Sequence, residues 1–164
     1  MSSTKIPLLL TAFLGLCAIS PAADHQLPGR VLRVADGDSL VLEVGGGQYQ
    51  IELAGIDAPE LNQPWGPAAA DRLNSSLTGA FVVVARAYRG TDGRTTGTVV
   101  FKDRDIALDL LYDGLAWSTI ETLTKTPGPA HPYTEAERRA RVARRGRWSD
   151  DEPVPPWDWR RQGP

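Results

Sequence analysis

The sequence predicts an α+β fold, and two observations carry that prediction. Short segments alternating Val, Leu or Ile with polar residues are separated by Gly- and Asp-rich turns, the pattern of half-buried strands. Three other segments carry helix start and stop signals instead of alternation. Composition agrees: 164 residues with 41% hydrophobic and 23% charged content suit one ordinary globular domain. The formal charge of -2, from 18 basic and 20 acidic residues, excludes a uniformly basic nucleic-acid wrapper.

The N-terminus reads as an export signal rather than as fold. Lys5 precedes an apolar run from Ile6 to Ile19, and Ser20-Pro21-Ala22-Ala23 supplies small residues for cleavage after Ala22. The run is shorter than the roughly 20 residues a permanent membrane helix needs, so residues 1–22 are expected to be removed and no stable membrane span is expected. Cys17, the single cysteine, leaves with the signal. The mature domain, residues 23–164, then holds no disulfide and no thiolate metal site, and its destination is the periplasm or the medium.

In the mature chain, 30–34, 39–44 and 48–53 read as three strands of a meander, joined at Asp36-Gly37-Asp38 and at Gly45-Gly46-Gly47. Gly66-Pro67-Ala68-Ala69-Ala70 opens a helix that Gly79 ends. Strands resume over 80–88 and 95–101, with Lys102-Asp103 as a turn. A short helix starts at Ile106 and stops at Gly114. Residues 118–132 are polar and Pro-rich and read as irregular. Thr134 and Glu137 have capping-box spacing for a last helix closed by Gly146, whose Arg138, Arg139, Arg141, Arg144 and Arg145 form either a solvated face or a phosphate contact.

Two acidic strings stand out. Pairing of the second and third strands through the glycine turn returns Asp57 beside Asp38, bringing together hard oxygen donors suited to a hard cation. Taken singly, Asp36-Gly37-Asp38 is also a common turn, and Asp57-Ala58-Pro59-Glu60 also reads as a cap for the coming helix. His25 beside the signal junction and His131 in the Pro-rich loop argue against histidine chemistry.

With Val34-Ala35-Asp36-Gly37-Asp38-Ser39-Leu40, Ala54-Gly55-Ile56-Asp57-Ala58-Pro59-Glu60, Asp92-Gly93-Arg94, Leu108-Asp109-Leu110-Leu111-Tyr112-Asp113-Gly114-Leu115-Ala116-Trp117 and Pro155-Pro156-Trp157-Asp158-Trp159-Arg160 in order, the mature chain resembles the staphylococcal nuclease (thermonuclease) family. The resemblance implies a five-stranded OB-fold β-barrel with three α-helices. It also implies calcium-dependent hydrolysis of phosphodiester bonds in DNA and RNA, with single-stranded substrates and a monomeric protein as the expectation. By position, Asp38, Asp57 and the backbone carbonyl of Ala58 look like Ca2+ ligands, with Asp36 supporting them. Glu60 looks like the group that holds or deprotonates the attacking water, and Arg94 like the arginine on the phosphate and leaving oxygen.

The pattern breaks at Glu52, where active members of the family carry a second phosphate-clamping arginine. Alternation points residue 52 away from the core and toward the site. Glu52 either strengthens cation binding while repelling phosphate, or pairs with Arg94. Arg33, Arg86 and Arg89 are the candidates for a replacement clamp. Thr91-Asp92 replaces the prototype's Lys-Tyr pair, and the aromatic platform after Ala116 is reduced to Trp117, which implies a weaker grip on bases. Ser39 and Ala58 matter less where family members carry Thr, since a carbonyl ligand at 58 does not depend on its side chain. Two readings stay open: a nuclease weakened by Glu52, and a non-catalytic module of the same fold that binds nucleic acid or protein.

Overall fold

The computed structural model describes residues 26–91, 93–119 and 131–163. Residues 1–25, which include the expected signal with Cys17 and also His25, lie outside them, as do Asp92 and positions 120–130 of the Pro-rich stretch. In chain order the elements are β1 (Leu27–Val34), β2 (Ser39–Val44), β3 (Gly47–Leu53), β4 (Ile56–Asp57), α1 (Gly66–Leu77), β5 (Phe81–Arg89) and β6 (Thr95–Phe101). There follow β7 (Arg104–Asp105), α2 (Ile106–Tyr112), β8 (Trp117–Ser118), α3 (Pro132–Val142), a 3-10 turn (Gly146–Ser149) and α4 (Pro156–Gln162).

β1, β2 and β3 form the expected antiparallel meander, with Ser39 opposite Glu52 and Leu40 opposite Ile51. The β2–β3 turn is tight because Gly45 and Gly46 both take positive φ, +56° and +83°. β5 pairs with the other edge of β1, β6 pairs with β5, and β6 returns parallel to β3, so the five long strands close into a barrel. This is the OB-type barrel implied by the resemblance. Closure removes the free sheet edges that five open strands would leave.

The core follows the predicted alternation. Val31, Leu40, Leu42, Ile51, Val82, Val84 and Val99 fill the barrel, and Leu73 and Leu77 of α1 with Leu110 and Leu111 of α2 cap it. Alternation breaks in β1, where the register with β2 shifts between Val31 and Arg33, and at Arg86, whose φ of +53° marks a bulge in the pairing of β5 with β6. An unbroken strand would carry Val82, Val84, Arg86 and Tyr88 on one face. The inserted residue buries Ala87 instead and leaves Tyr88 62% exposed. Gly97 lies opposite, where a Cβ would come within 2.5 Å of Val84 Cγ1.

Two helical expectations need correction. The described residues contain four α-helices rather than three: Pro156 opens a further one, α4, over residues with no apolar periodicity to announce it. The capping box of α3 does not form either. The helix starts earlier, at Pro132, with the His131 ring accepting from Tyr133 N–H as N-cap. Thr134 therefore lies inside the first turn, and Glu137 faces the interior, 8% exposed. There it accepts from Ser118 N–H at 3.1 Å and from Arg141 Nη2 at 2.7 Å. The α3 arginines read as a solvated face: Arg138 and Arg139 pair with Glu135, and Arg144 pairs with Asp151.

Candidate active site

The β2–β3 hairpin brings the two acidic strings together as predicted. Leu53 N–H donates to the Asp38 carbonyl at 2.9 Å, so the chain leaving β3 runs past the Asp36–Asp38 turn and into β4. Asp36 Oδ1 accepts from Asp38 N–H at 3.1 Å, the local bond of an Asx turn. Asp38 Oδ2 accepts from Ala58 N–H at 2.6 Å, fastening that turn to the Asp57-Ala58-Pro59-Glu60 string. Gly37 is required by contact rather than by φ. A Cβ there would sit 2.7 Å from the Cβ atoms of both Ala58 and Ala69, so only glycine lets the turn lie against α1 and the acidic loop at once.

The loop carrying Glu60 is held from the C-terminal segment. Gln63, 3% exposed, accepts from Glu60 N–H at 3.1 Å and donates through Nε2 to the Val154 carbonyl at 2.6 Å. Trp65 Nε1 donates to Asp150 and Trp159 Nε1 to Asn62. Gly66 opens α1 with its backbone packed against Glu60, where a Cβ would fall 1.8 Å from the Glu60 carbonyl oxygen.

These elements enclose a cleft of about 830 Å³. Five carboxyl groups (Asp36, Asp38, Glu52, Asp57, Glu60) and two guanidiniums (Arg94, Arg160) line it, with Tyr88 on the wall. Every side chain expected at the site is therefore brought to one cavity. Glu52 pairs with Arg94 across the β3–β6 junction, the second of the two outcomes its position allowed. Arg33, Arg86 and Arg89 do not line this cleft, so none of them stands in for the missing clamp.

Arg160 is the residue that sequence reasoning missed. From α4 it donates through Nη2 to Asp57 Oδ2 at 2.7 Å, and through Nη1 to Asp57 Oδ1 at 3.2 Å and to Glu60 Oε1 at 2.7 Å. These two carboxylates raise its already high pKa. Tyr88 was missed as well, because its orientation depends on the bulge at Arg86.

Asp38 is electrostatically the least settled group. Its pKa is raised from 3.8 to about 8, chiefly by burial and further by the neighbouring Asp36 and Asp57, against the lowering effect of the Ala58 N–H. Among the described residues no arginine, lysine or histidine pairs with it. The donors fit a hard divalent cation: a desolvated carboxylate without a counter-charge, a second carboxylate beside it, and the Ala58 carbonyl. No three Asp, Glu, His or Cys side chains among the described residues form a closed cage. A cation held by two carboxylates would keep positions open for water and phosphate oxygens.

Behind the cleft, Arg147 is buried to 1% exposure between two indoles, its Cζ 3.5 Å from the Trp117 ring centroid and 3.9 Å from that of Trp148. Glu137 lies 3.5 Å from it. Burial pushes its pKa down to about 8. This sandwich anchors Trp117, which pairs with Asp57 across β4 and β8. Trp117 is therefore buried, 5% exposed, and is not a stacking platform.

Comparison with known proteins agrees with this geometry. The family model for staphylococcal nuclease homologues matches residues 50–150. An uncharacterized endonuclease of Escherichia coli is 36% identical over 158 residues, covering 94% of this chain and 95% of that protein. One from Haemophilus influenzae is 30% identical over 163 residues, covering 99% and 88%. A micrococcal nuclease of Shigella flexneri is 31% identical over 170 residues, covering 98% and 96%.

Proposed function

Because the chain belongs to the staphylococcal nuclease family, we propose that it is an exported, calcium-dependent nuclease that hydrolyses phosphodiester bonds of DNA or RNA, with single strands as substrate. The observation that carries this reading is the desolvated Asp38 carboxylate, without a counter-cation among the described residues, set beside Asp57 and the Ala58 carbonyl. These three would hold Ca2+. When bound, the ion would neutralise phosphate charge and favour ionisation of water. Glu60, kept in place by Gln63, accepts the proton of the attacking water. Arg94 offers a planar fork to the phosphate and the leaving oxygen. Asp36 acts through Asp38 by fixing its turn. Residues 1–22 direct export to the periplasm or the medium, and the mature chain acts as a monomer.

One observation favours the second reading, a non-catalytic module that binds nucleic acid or protein. Glu52 occupies Arg94, and a phosphate must compete with it for the guanidinium. Such competition predicts a slow enzyme and, in the limit, an inactive one.

Both readings are tested by incubating residues 23–164 with single-stranded DNA in calcium and in excess chelator, beside Glu60→Ala and Glu52→Arg variants. Calcium-dependent cleavage that disappears in Glu60→Ala supports the enzyme. Cleavage absent from the native chain and gained in Glu52→Arg identifies a lapsed site.

A further inference from the structure

We propose that Arg160, carried by the C-terminal helix α4, is the second phosphate-binding arginine of this cleft, supplied from the opposite wall to the strand position occupied by Glu52. For its catalytic consequence the proposal rests on the nuclease reading. For phosphate binding it stands on the geometry of the cleft alone.

A phosphoryl-transfer site needs positive charge on the equatorial oxygens of the transferring group. Two guanidiniums line the cleft, and Glu52 already answers the charge of Arg94. Arg160 is the other, and its side chain is 50% exposed, open to an incoming ligand. Three of its five N–H groups are used, two on Asp57 and one on Glu60. The Nε–H and one Nη2–H make no hydrogen bond among the described residues. These two lie on the same edge of the guanidinium plane, the fork that takes two phosphate oxygens in a bidentate pair.

The placement is rigid. Trp159 beside it bonds Asn62, Trp157 meets the edge of Trp117 at 6.3 Å, and Val154 receives the Gln63 amide. A phosphate on the free edge of Arg160 therefore sits next to Asp57, the candidate cation ligand, while Glu60, the candidate proton acceptor, holds the opposite side of the same guanidinium. One arginine thus braces both carboxylates and faces the substrate. A charge that the family pattern places on β3 reaches the same cleft from 108 residues further along the chain.

The test uses the mature chain and its Arg160→Ala, Arg160→Lys, Arg161→Ala and Glu52→Arg/Arg160→Ala variants. Binding of thymidine 5′-monophosphate, which holds no cleavable diester, is measured calorimetrically with calcium present, with thymidine as the uncharged control and calcium alone titrated separately. Arg160→Ala is expected to weaken the monophosphate at least about tenfold while leaving thymidine affinity within about twofold and calcium affinity undiminished, since the guanidinium competes with the ion for Asp57. Arg160→Lys keeps the charge without the fork and recovers only part of the loss. On single-stranded DNA, kcat/KM falls on the order of a hundredfold or more in Arg160→Ala, is unchanged in Arg161→Ala, and recovers in the double variant, where β3 again carries an arginine.

Unchanged monophosphate affinity in Arg160→Ala, or a parallel loss of calcium affinity, overturns the proposal and leaves Arg160 as a brace for Asp57 and Glu60. A native chain that cleaves nothing yet binds the monophosphate through Arg160 overturns the nuclease reading and keeps the clamp. A native chain whose cleavage survives Arg160→Ala does the reverse.

Discussion

Substituting Asp38 by Asn should stabilise the calcium-free protein while abolishing its response to calcium. The carboxyl has a folded-state pKa of about 8 against an ordinary 3.8. The folded chain therefore holds a proton that the unfolded chain has lost, and stability declines as pH rises from about 4 to about 8. Each pH unit of that span is worth about 1.4 kcal/mol, giving roughly 6 kcal/mol as an upper bound. Water reaches this partly buried side chain, and screening reduces the figure to about 2–3 kcal/mol. Asn keeps an oxygen for the Ala58 N–H and carries no charge, so it escapes the penalty. For a domain of this size the gain corresponds to a rise in Tm of about 5–10 °C at pH 8, shrinking toward zero near pH 4. The assay is thermal unfolding of both proteins from pH 4 to 9 in chelator, repeated with calcium. Calcium should raise the Tm of the native chain and leave Asp38→Asn unmoved. Equal Tm values at pH 8 in chelator, or a pH-independent difference, would refute the assignment of Asp38 as a desolvated carboxylate awaiting a cation.

The other expectations concern the supports of the site. Gly66→Ala forces a Cβ into the Glu60 carbonyl and should cost about 3 kcal/mol or more, seen as a lower midpoint in urea. Gln63→Leu removes the bonds to Glu60 N–H and the Val154 carbonyl; a loss of about 2–3 kcal/mol is expected, with faster hydrogen exchange at Glu60. Arg147→Lys exchanges a plane stacked between Trp117 and Trp148 for a point charge, and should lower stability by about 2 kcal/mol and alter tryptophan fluorescence. Cleavage by Glu52→Arg should exceed that of the native chain by about tenfold or more on single-stranded DNA.

Much of the barrel was legible because its signals are local. Period-two alternation over 39–44 and 47–53 with glycines between them sets the β2–β3 register. That register alone brings Asp38 to Asp57, since the two strings flank the same pair of strands. Where a local signal was overridden, a distant contact decided. Thr134 and Glu137 have capping-box spacing, yet Glu137 turned inward to Ser118 and Arg141. Tyr88 has the alternation of a buried face, yet the bulge at Arg86 turned it outward.

By itself the sequence determined the order of the elements along the chain, the acidic strings, the glycine turns between the strands, and the charge reversal at Glu52. Tertiary structure decided what answers that reversal. Arg160 is separated from Asp57 by 103 residues, and no periodicity or spacing links two side chains over that distance. Their meeting depends on Trp65, Trp159 and Gln63 fastening the C-terminal segment across the loop before α1. A single ion pair at a surface contributes little to where a chain folds. Arg160 reaches Asp57 because the packed helix beneath it is already in place.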